Sequence, residues 1–188
     1  MTYVELIVVL AIFAVMSSVV IFNYGDFQAQ VDIKNLASDI ALQIVQAQKS
    51  SLAGLLPTQI PTISPWKPSY GVYFNPVPYN KSFIYFVDLD QNDLLNDPSC
   101  PPGSECLNKI AITKNNSISS LSVFYQGDSA AYPLTDLTAT FTRPNSGAII
   151  RSSTTLNSNI SHVQINITSL QGISAAIELY PSGRVQIN

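Results

Sequence analysis

The sequence predicts an α+β chain in which one long N-terminal helix packs on a mainly antiparallel β-sheet head. Three observations carry this. Residues 6–22 are almost wholly apolar, an amphipathic stripe at helical spacing follows them, and beyond a proline-rich stretch the pattern changes to period two.

From Leu6 to Phe22 only Ser17 and Ser18 interrupt the apolar run, and no Lys or Arg stands before Lys34. Counted from Val4 the run is about 19 residues, enough to span a bilayer's hydrocarbon core. It lacks the basic start and the small-residue cleavage site of a secretory signal peptide. Ile33, Leu36, Ala37, Ile40, Ala41, Ile44 and Val45 then recur at three- and four-residue spacing, with Lys34, Asn35, Ser38, Asp39, Gln43 and Gln46 between them. Such a face needs one partner surface. Gly54, with Pro57 close behind, reads as the helix stop. A helix over residues 2–53 would be roughly 75–80 Å long at 1.5 Å per residue. That is too long for one domain's core, so part of it must project. Residues 1–24 read as a membrane or filament-core segment and 27–53 as the amphipathic half. Between them Gly25 costs roughly 1 kcal/mol against Ala, and Asn23 is a poor helix former. A break there and a continuous helix that tolerates the penalty both stay open.

Residues 54–68 hold Pro57, Pro61, Pro65 and Pro68 and read as a connector. Residues 69–188 read as a β-rich head. Its expected strands are 70–75, 83–88, 109–113, 121–126, 137–142, 148–152, 162–168, 174–180 and 184–187, separated by turn signals such as Pro144-Asn145-Ser146-Gly147 and Pro181-Ser182-Gly183.

Charged residues make up 11% of the chain, against about 25% in ordinary soluble domains. Ser, Thr and Asn take their place. Neutral polar groups suit a protein that packs many copies side by side, because like-charge repulsion stays small; a secreted β-rich protein would share the composition. The net charge of −3 and the scattered Arg143, Arg151 and Arg184 leave no phosphate-binding patch, so no nucleic-acid partner is expected. Cys100 and Cys106 flank a Pro-Pro-Gly turn and are expected to close a small disulfide ring in an oxidising compartment. A metal site is the rival, but no second Cys pair exists and His162 is the one histidine.

Glu5 sits at the edge of the apolar run with no cation nearby in its own chain. An unpaired carboxylate in hydrocarbon costs several kcal/mol. An identical chain, stacked with an axial offset, offers the α-amino group of Met1. The alternative is an interfacial Glu dipping into lipid headgroups.

The opening Met-Thr-Tyr-Val-Glu-Leu-Ile-Val-Val-Leu-Ala-Ile resembles the start of a processed type IV pilin or pseudopilin, the Phe-Thr-Leu-x-Glu-Leu pattern, with Met1 where that family has Phe. The resemblance covers about the first 50 residues and implies the pilin fold. It also implies a prepilin peptidase that removes a short basic leader and methylates residue 1. Glu5 matches the family glutamate that pairs with the neighbouring subunit's N-terminal amine. In the head, the segments at residues 86–92 and 181–185 are loosely similar to minor pilins and H-type pseudopilins. The function so implied is a non-enzymatic subunit of a surface filament, held in the inner membrane before an assembly platform polymerises it into a helical homo-oligomer. The rival readings are a low-abundance pseudopilin of a type II secretion system and a membrane-tethered extracytoplasmic binding module.

Asp88, Asp90, Asn92 and Asp97, with the carbonyl of Leu94, resemble the first half of a calcium loop. Asp93 replaces the turn glycine and Ser99 stands where a bidentate Glu belongs, so an unliganded acidic turn is the simpler reading and no cofactor is required. His162 reads as a packed strand histidine, and no serine lies in a nucleophile elbow. Asn80, Asn115, Asn159 and Asn166 head Asn-x-Ser/Thr triplets, which also arise by chance in a chain this rich in Asn and Ser.

Overall fold

The structure is a computed structural model and describes residues 2–59 and 61–188, with the side chains of 19–23 outside that description. Helix α1 runs Tyr3–Leu52. Its backbone is helical across Gly25, where an added Cβ would meet nothing within 4 Å. Asn23 falls among the side chains outside the description. The C-terminus closes as its residues dictate. Ala53 is the cap, and Gly54 follows at φ +70°, a left-handed conformation that glycine adopts without a Cβ clash. The N–H of Gly54 donates to Ser51 O at 3.0 Å, and that of Leu55 to Ser50 O at 3.2 Å. Two carbonyls of the last turn are thereby satisfied.

The connector is tied down by polar contacts. Ser51 Oγ donates to Pro68 O, the Trp66 indole donates to Asp88 O at 2.8 Å, and Tyr70 OH donates to Leu55 O. Beyond it come β1 (Ser69–Phe74), the short helix α2 (Pro76–Tyr79), β2 (Ser82–Val87), β3 (Cys106–Ala111), β4 (Ser117–Tyr125), β5 (Tyr132–Leu134), β6 (Leu137–Thr142), β7 (Ile149–Arg151), β8 (Ile160–Thr168), β9 (Ser174–Leu179) and β10 (Val185–Ile187). They form two five-stranded antiparallel sheets, ordered β3-β2-β1-β6-β7 and β10-β9-β8-β4-β5. The protein is thus α+β, a helix on antiparallel sheets, with two sheets where the sequence suggested a single β layer.

Both sheets turn an apolar face to α1, which touches β1 and β6 of the first and β8, β9 and β10 of the second. The helix buries Ile33, Ala37, Ile40, Ile44 and Ala47 there. Burying an Ile fully is worth about 2 kcal/mol, so these positions fix which side of the helix faces in. Leu36 packs at the margin, while Ala41 and Val45 stay half-buried. Inward side chains alternate along each strand: Tyr70, Val72 and Phe74 on β1, Leu137, Ala139 and Phe141 on β6, Val163, Ile165 and Ile167 on β8. On the reverse of the first sheet Gly71 lies under Phe86 and Thr140; a Cβ there would come within 2.7 Å of both. No larger residue fits.

Three strands depart from the sequence expectation. β4 begins at Ser117 rather than Leu121, because Ser117 and Ile118 already pair with Thr168 and Ile167 of β8. β3 begins at Cys106 rather than Lys109, because pairing of Phe86 with Cys106 extends the ladder toward the disulfide. β5 was not anticipated; it is three residues long, contains Pro133 and lies at a sheet edge, where a missing N–H is tolerated.

Candidate functional site

Two places concentrate the chemistry. The first is the start of α1. Thr2 caps the helix: its Oγ1 accepts from Glu5 N at 3.4 Å, and Glu5 Oε2 accepts from Thr2 N at 3.3 Å. This reciprocal capping box gives Glu5 a role within its own chain that the sequence reading overlooked, although Thr-x-x-Glu before an apolar run is its signature. Met1, the expected partner of a neighbour's Glu5, lies outside the described residues. From Tyr3 to Met16 the helix exposes every large apolar side chain. Among the described residues no helix is long and apolar enough to cross a membrane. The apolar run expected from the sequence extends into residues 19–23, whose side chains are not described.

The second place is the loop after β2. Asp88 continues the strand, its N–H donating to Ser69 O at 3.0 Å, and its side chain turns inward, fully buried. Oδ1 accepts from Asn92 N at 3.2 Å, and Oδ2 from Asp93 N at 3.1 Å and Ser69 Oγ at 3.3 Å. Asp90 Oδ2 accepts from the side-chain amides of Asn92 and Asn96 at 2.9 and 3.0 Å. The chain bends through left-handed backbone at Gln91 and Asp93, with φ of 57° and 63°. Arg151 on β7 pairs with Asp93 at 3.3 Å and pins the bend to the first sheet. The Cys100–Cys106 disulfide then closes a ring that returns Glu105 to the start of the loop. Glu105 O accepts from Val87 N at 2.9 Å, Oε1 from Leu89 N and Oε2 from Asn96 N, both at 3.0 Å.

Carboxylate oxygens of Asp88, Asp90 and Glu105 consequently lie within 4.8 Å of one another. Burial pushes the Asp88 carboxyl up to about 6, against the pull of the Asp93 N–H; the neighbouring carboxyls of Asp90 and Glu105 add to the rise. Burial also raises Glu105, and the charge of Asp90 adds to that rise. Of the residues expected to form a calcium loop, Asp88 and Asp90 come together and Asn92 bonds to Asp90. Asp97 does not join the cluster; its Oδ1 accepts from Ser99 N at 2.8 Å and caps a local turn. Glu105 takes the place sought at Ser99 or Asp97. Sequence spacing hid it, since only the disulfide ring and the β2–β3 pairing bring it back. Asp88 Oδ1 and both Glu105 oxygens accept one of these bonds each and keep a second lone pair, so they suit a hard, oxygen-seeking cation, whereas Oδ2 of Asp88 and of Asp90 already accept two.

His162 is stacked between Phe124 and Tyr180, at ring distances of 4.5 and 5.3 Å, on the outer face of the second sheet. Asn80, Asn115 and Asn159 are exposed, whereas Asn166 lies within β8 and donates to Ser120 Oγ. No protein-family model matches this chain, and neither does any curated protein or any solved structure.

Proposed function

We propose that the chain is a structural, non-enzymatic subunit of a type IV pilus-like surface filament, polymerising through α1. One observation carries the reading. A single helix buries an apolar stripe against its own head from Ile33 onward, yet leaves its apolar first turns, Tyr3 to Met16, with no cover from the same chain. An exposed apolar surface of that extent needs lipid or protein around it. In this reading the N-terminal half projects, resides in the inner membrane before assembly, and exchanges lipid contacts for identical helices in the filament. The N-terminal motif supports it by resemblance. Electron microscopy of sheared surface material tests it: filaments composed mainly of this chain are expected, and a chain that stays dispersed and monomeric in the membrane would sink it in favour of a tethered module. A tip-located or sparse subunit would instead mark the pseudopilin-like alternative.

A second reading is favoured by Glu105. The cluster of Asp88, Asp90 and Glu105 holds calcium, which brings together carboxylates that otherwise repel and so stabilises the head rather than catalysing a reaction. Calorimetric titration of the whole protein with calcium tests it. Saturable binding lost in Glu105→Gln is expected, and binding unchanged by that substitution would refute it.

A further inference from the structure

We infer that a cavity at the C-terminal end of β1 binds a neutral sugar ring. It belongs to the head and does not depend on how α1 associates. The cavity has a volume of about 510 Å³ and is lined by Tyr73, Val77, Leu134, Thr135, Asp136 and Ser153. That size suits a small organic ligand. Strand register makes these distant residues converge. Tyr73 near the end of β1 pairs with Thr138 near the start of β6, and Thr138 pairs with Arg151 at the end of β7. Asp136 just before β6 and Ser153 just after β7 are thereby carried to the side of Tyr73.

Two polar groups are left open there. Asn75 Oδ1 accepts from Val77 N at 3.0 Å, which turns its Nδ2 toward Tyr73, and the Tyr73 hydroxyl oxygen accepts from it at 3.1 Å. The hydroxyl proton of Tyr73 remains to be donated. Burial holds that hydroxyl above its ordinary 10.0, and the charge of Asp136 adds to the rise against the pull of Asn75, so it stays a donor at physiological pH. Oδ1 of Asp136 accepts from Ser153 N at 2.8 Å and from the hydroxyls of Ser152 and Ser153 at 3.1 and 2.5 Å, which fixes the carboxylate. Among the described residues its Oδ2 accepts no hydrogen bond, and the two ion pairs lie elsewhere, at Lys114–Asp32 and Arg151–Asp93.

An open proton beside an open carboxylate oxygen selects the ligand. An ammonium only donates, so it would satisfy Asp136 but meet the Tyr73 proton. A phosphate or carboxylate only accepts, so it would satisfy Tyr73 but be repelled by Asp136, and no Lys or Arg lines the cavity to offset that repulsion. A hydroxyl donates and accepts, and a sugar ring presents several side by side. Thr135 and Ser153 add two hydroxyls of the same double capacity. Val77, 78% exposed, and Leu134 give an apolar wall for the C–H face of the ring.

The test is ligand-observed NMR on the whole protein in a polyoxyethylene detergent, which carries no sugar headgroup. The probes are the methyl pyranosides of glucose, galactose and mannose and free N-acetylglucosamine, with N-acetylneuraminate and ethylammonium as the anionic and cationic counterparts. At least one neutral sugar should bind saturably with a Kd on the order of 1–10 mM, as expected for a ligand of this size. Asp136→Asn should weaken it roughly tenfold or more, because a bond to a charged group is lost. Tyr73→Phe removes one hydroxyl and keeps the ring, so it should weaken binding about three- to tenfold with the melting temperature unchanged; it decides the matter if Asp136→Asn fails to fold. No saturable binding of any neutral sugar up to about 50 mM, well past that range, would overturn the proposal. So would binding unchanged by either substitution, or tighter binding of N-acetylneuraminate or ethylammonium than of every neutral sugar.

Discussion

Without metal, the head should lose stability as the pH rises through the weakly acidic range, and calcium should reverse that trend. The sign follows from Asp88. Its carboxyl titrates at about 6 in the fold against an ordinary 3.8, so the native state holds the proton more tightly than the unfolded chain. That contribution is complete below about pH 4 and is lost as the pH climbs past about 6. That difference in proton affinity amounts to ~3 kcal/mol. Glu105 is raised as well and acts in the same direction. Asp97 and Asp128 are lowered by hydrogen bonds and act in the opposite sense, but their window lies below the ordinary 3.8. In a chain of this size ~3 kcal/mol corresponds to a fall of about 6–12 °C in melting temperature. A cation bound only by the native, ionised cluster adds about 2.7 kcal/mol at a hundredfold excess over Kd. It adds less at pH 5, where protons compete for the ligands. The assay is thermal melting of the whole protein in mild detergent at pH 4.5, 6 and 7.5, with chelator or calcium, on wild type and Asp88→Asn. With chelator the wild-type midpoint should drop toward pH 7.5, and Asp88→Asn should flatten most of the drop. A wild-type midpoint that holds steady or climbs to pH 7.5 in chelator would refute the reasoning, as would an equally steep fall in Asp88→Asn.

Three other outcomes are expected. Glu5→Gln keeps the capacity to cap Thr2 N but removes the charge, so it should reduce filament yield nearly as far as Glu5→Leu; a normal yield from Glu5→Gln would assign Glu5 to capping alone. Removing residues 1–27 should leave a soluble, folded monomer, because among the described residues every buried core residue of α1 lies at Ala29 or beyond; aggregation of this fragment, seen by gel filtration, would mean the Ile33–Ala47 stripe is not held by its own sheets. Thr138→Val should be neutral or stabilise the fold by about 1 kcal/mol in denaturant melts, since Thr138 Oγ1 is buried without a partner; a clear loss of stability would reveal a bond to that hydroxyl.

The parts of the fold that depend on local periodicity were legible in the chain. The stripe from Ile33 to Ile44, the stop at Gly54 and the alternation along β1, β6 and β8 each report a local neighbourhood, and the helix and strands form where those patterns run. What the pattern did not carry was the division of the strands into two sheets. Period two tells which side of a strand is wet, and says nothing of which strands share a ladder; β4 pairs with β8 across more than thirty residues of intervening chain. The acidic loop shows the same boundary. Asp88, Asp90 and Asn92 declare themselves by spacing, whereas Glu105 joins them through a disulfide and a strand pairing. The capping box is legible in Thr-x-x-Glu, and the nearest partner of Glu5 is a backbone amide three residues away rather than a cation.

The contact of α1 with β9 and β10 joins the first element of the chain to its last. Ile33 leaves the ribosome about 140 residues ahead of Ser174, a lag of roughly 10–30 s at ordinary rates of synthesis. Through that interval the stripe has one of its two sheets at most, and the chain carries bare apolar surface at both ends of the helix. Completion of the head is therefore a late, C-terminal event. A chain cut short before β9 would keep the first sheet on α1 but leave bare the part of the helix that β9 and β10 cover, prone to associate with any apolar surface it meets. Only a fully translated copy presents a helix whose remaining apolar face is the outward one, so the architecture makes completeness of the chain a condition for ordered association.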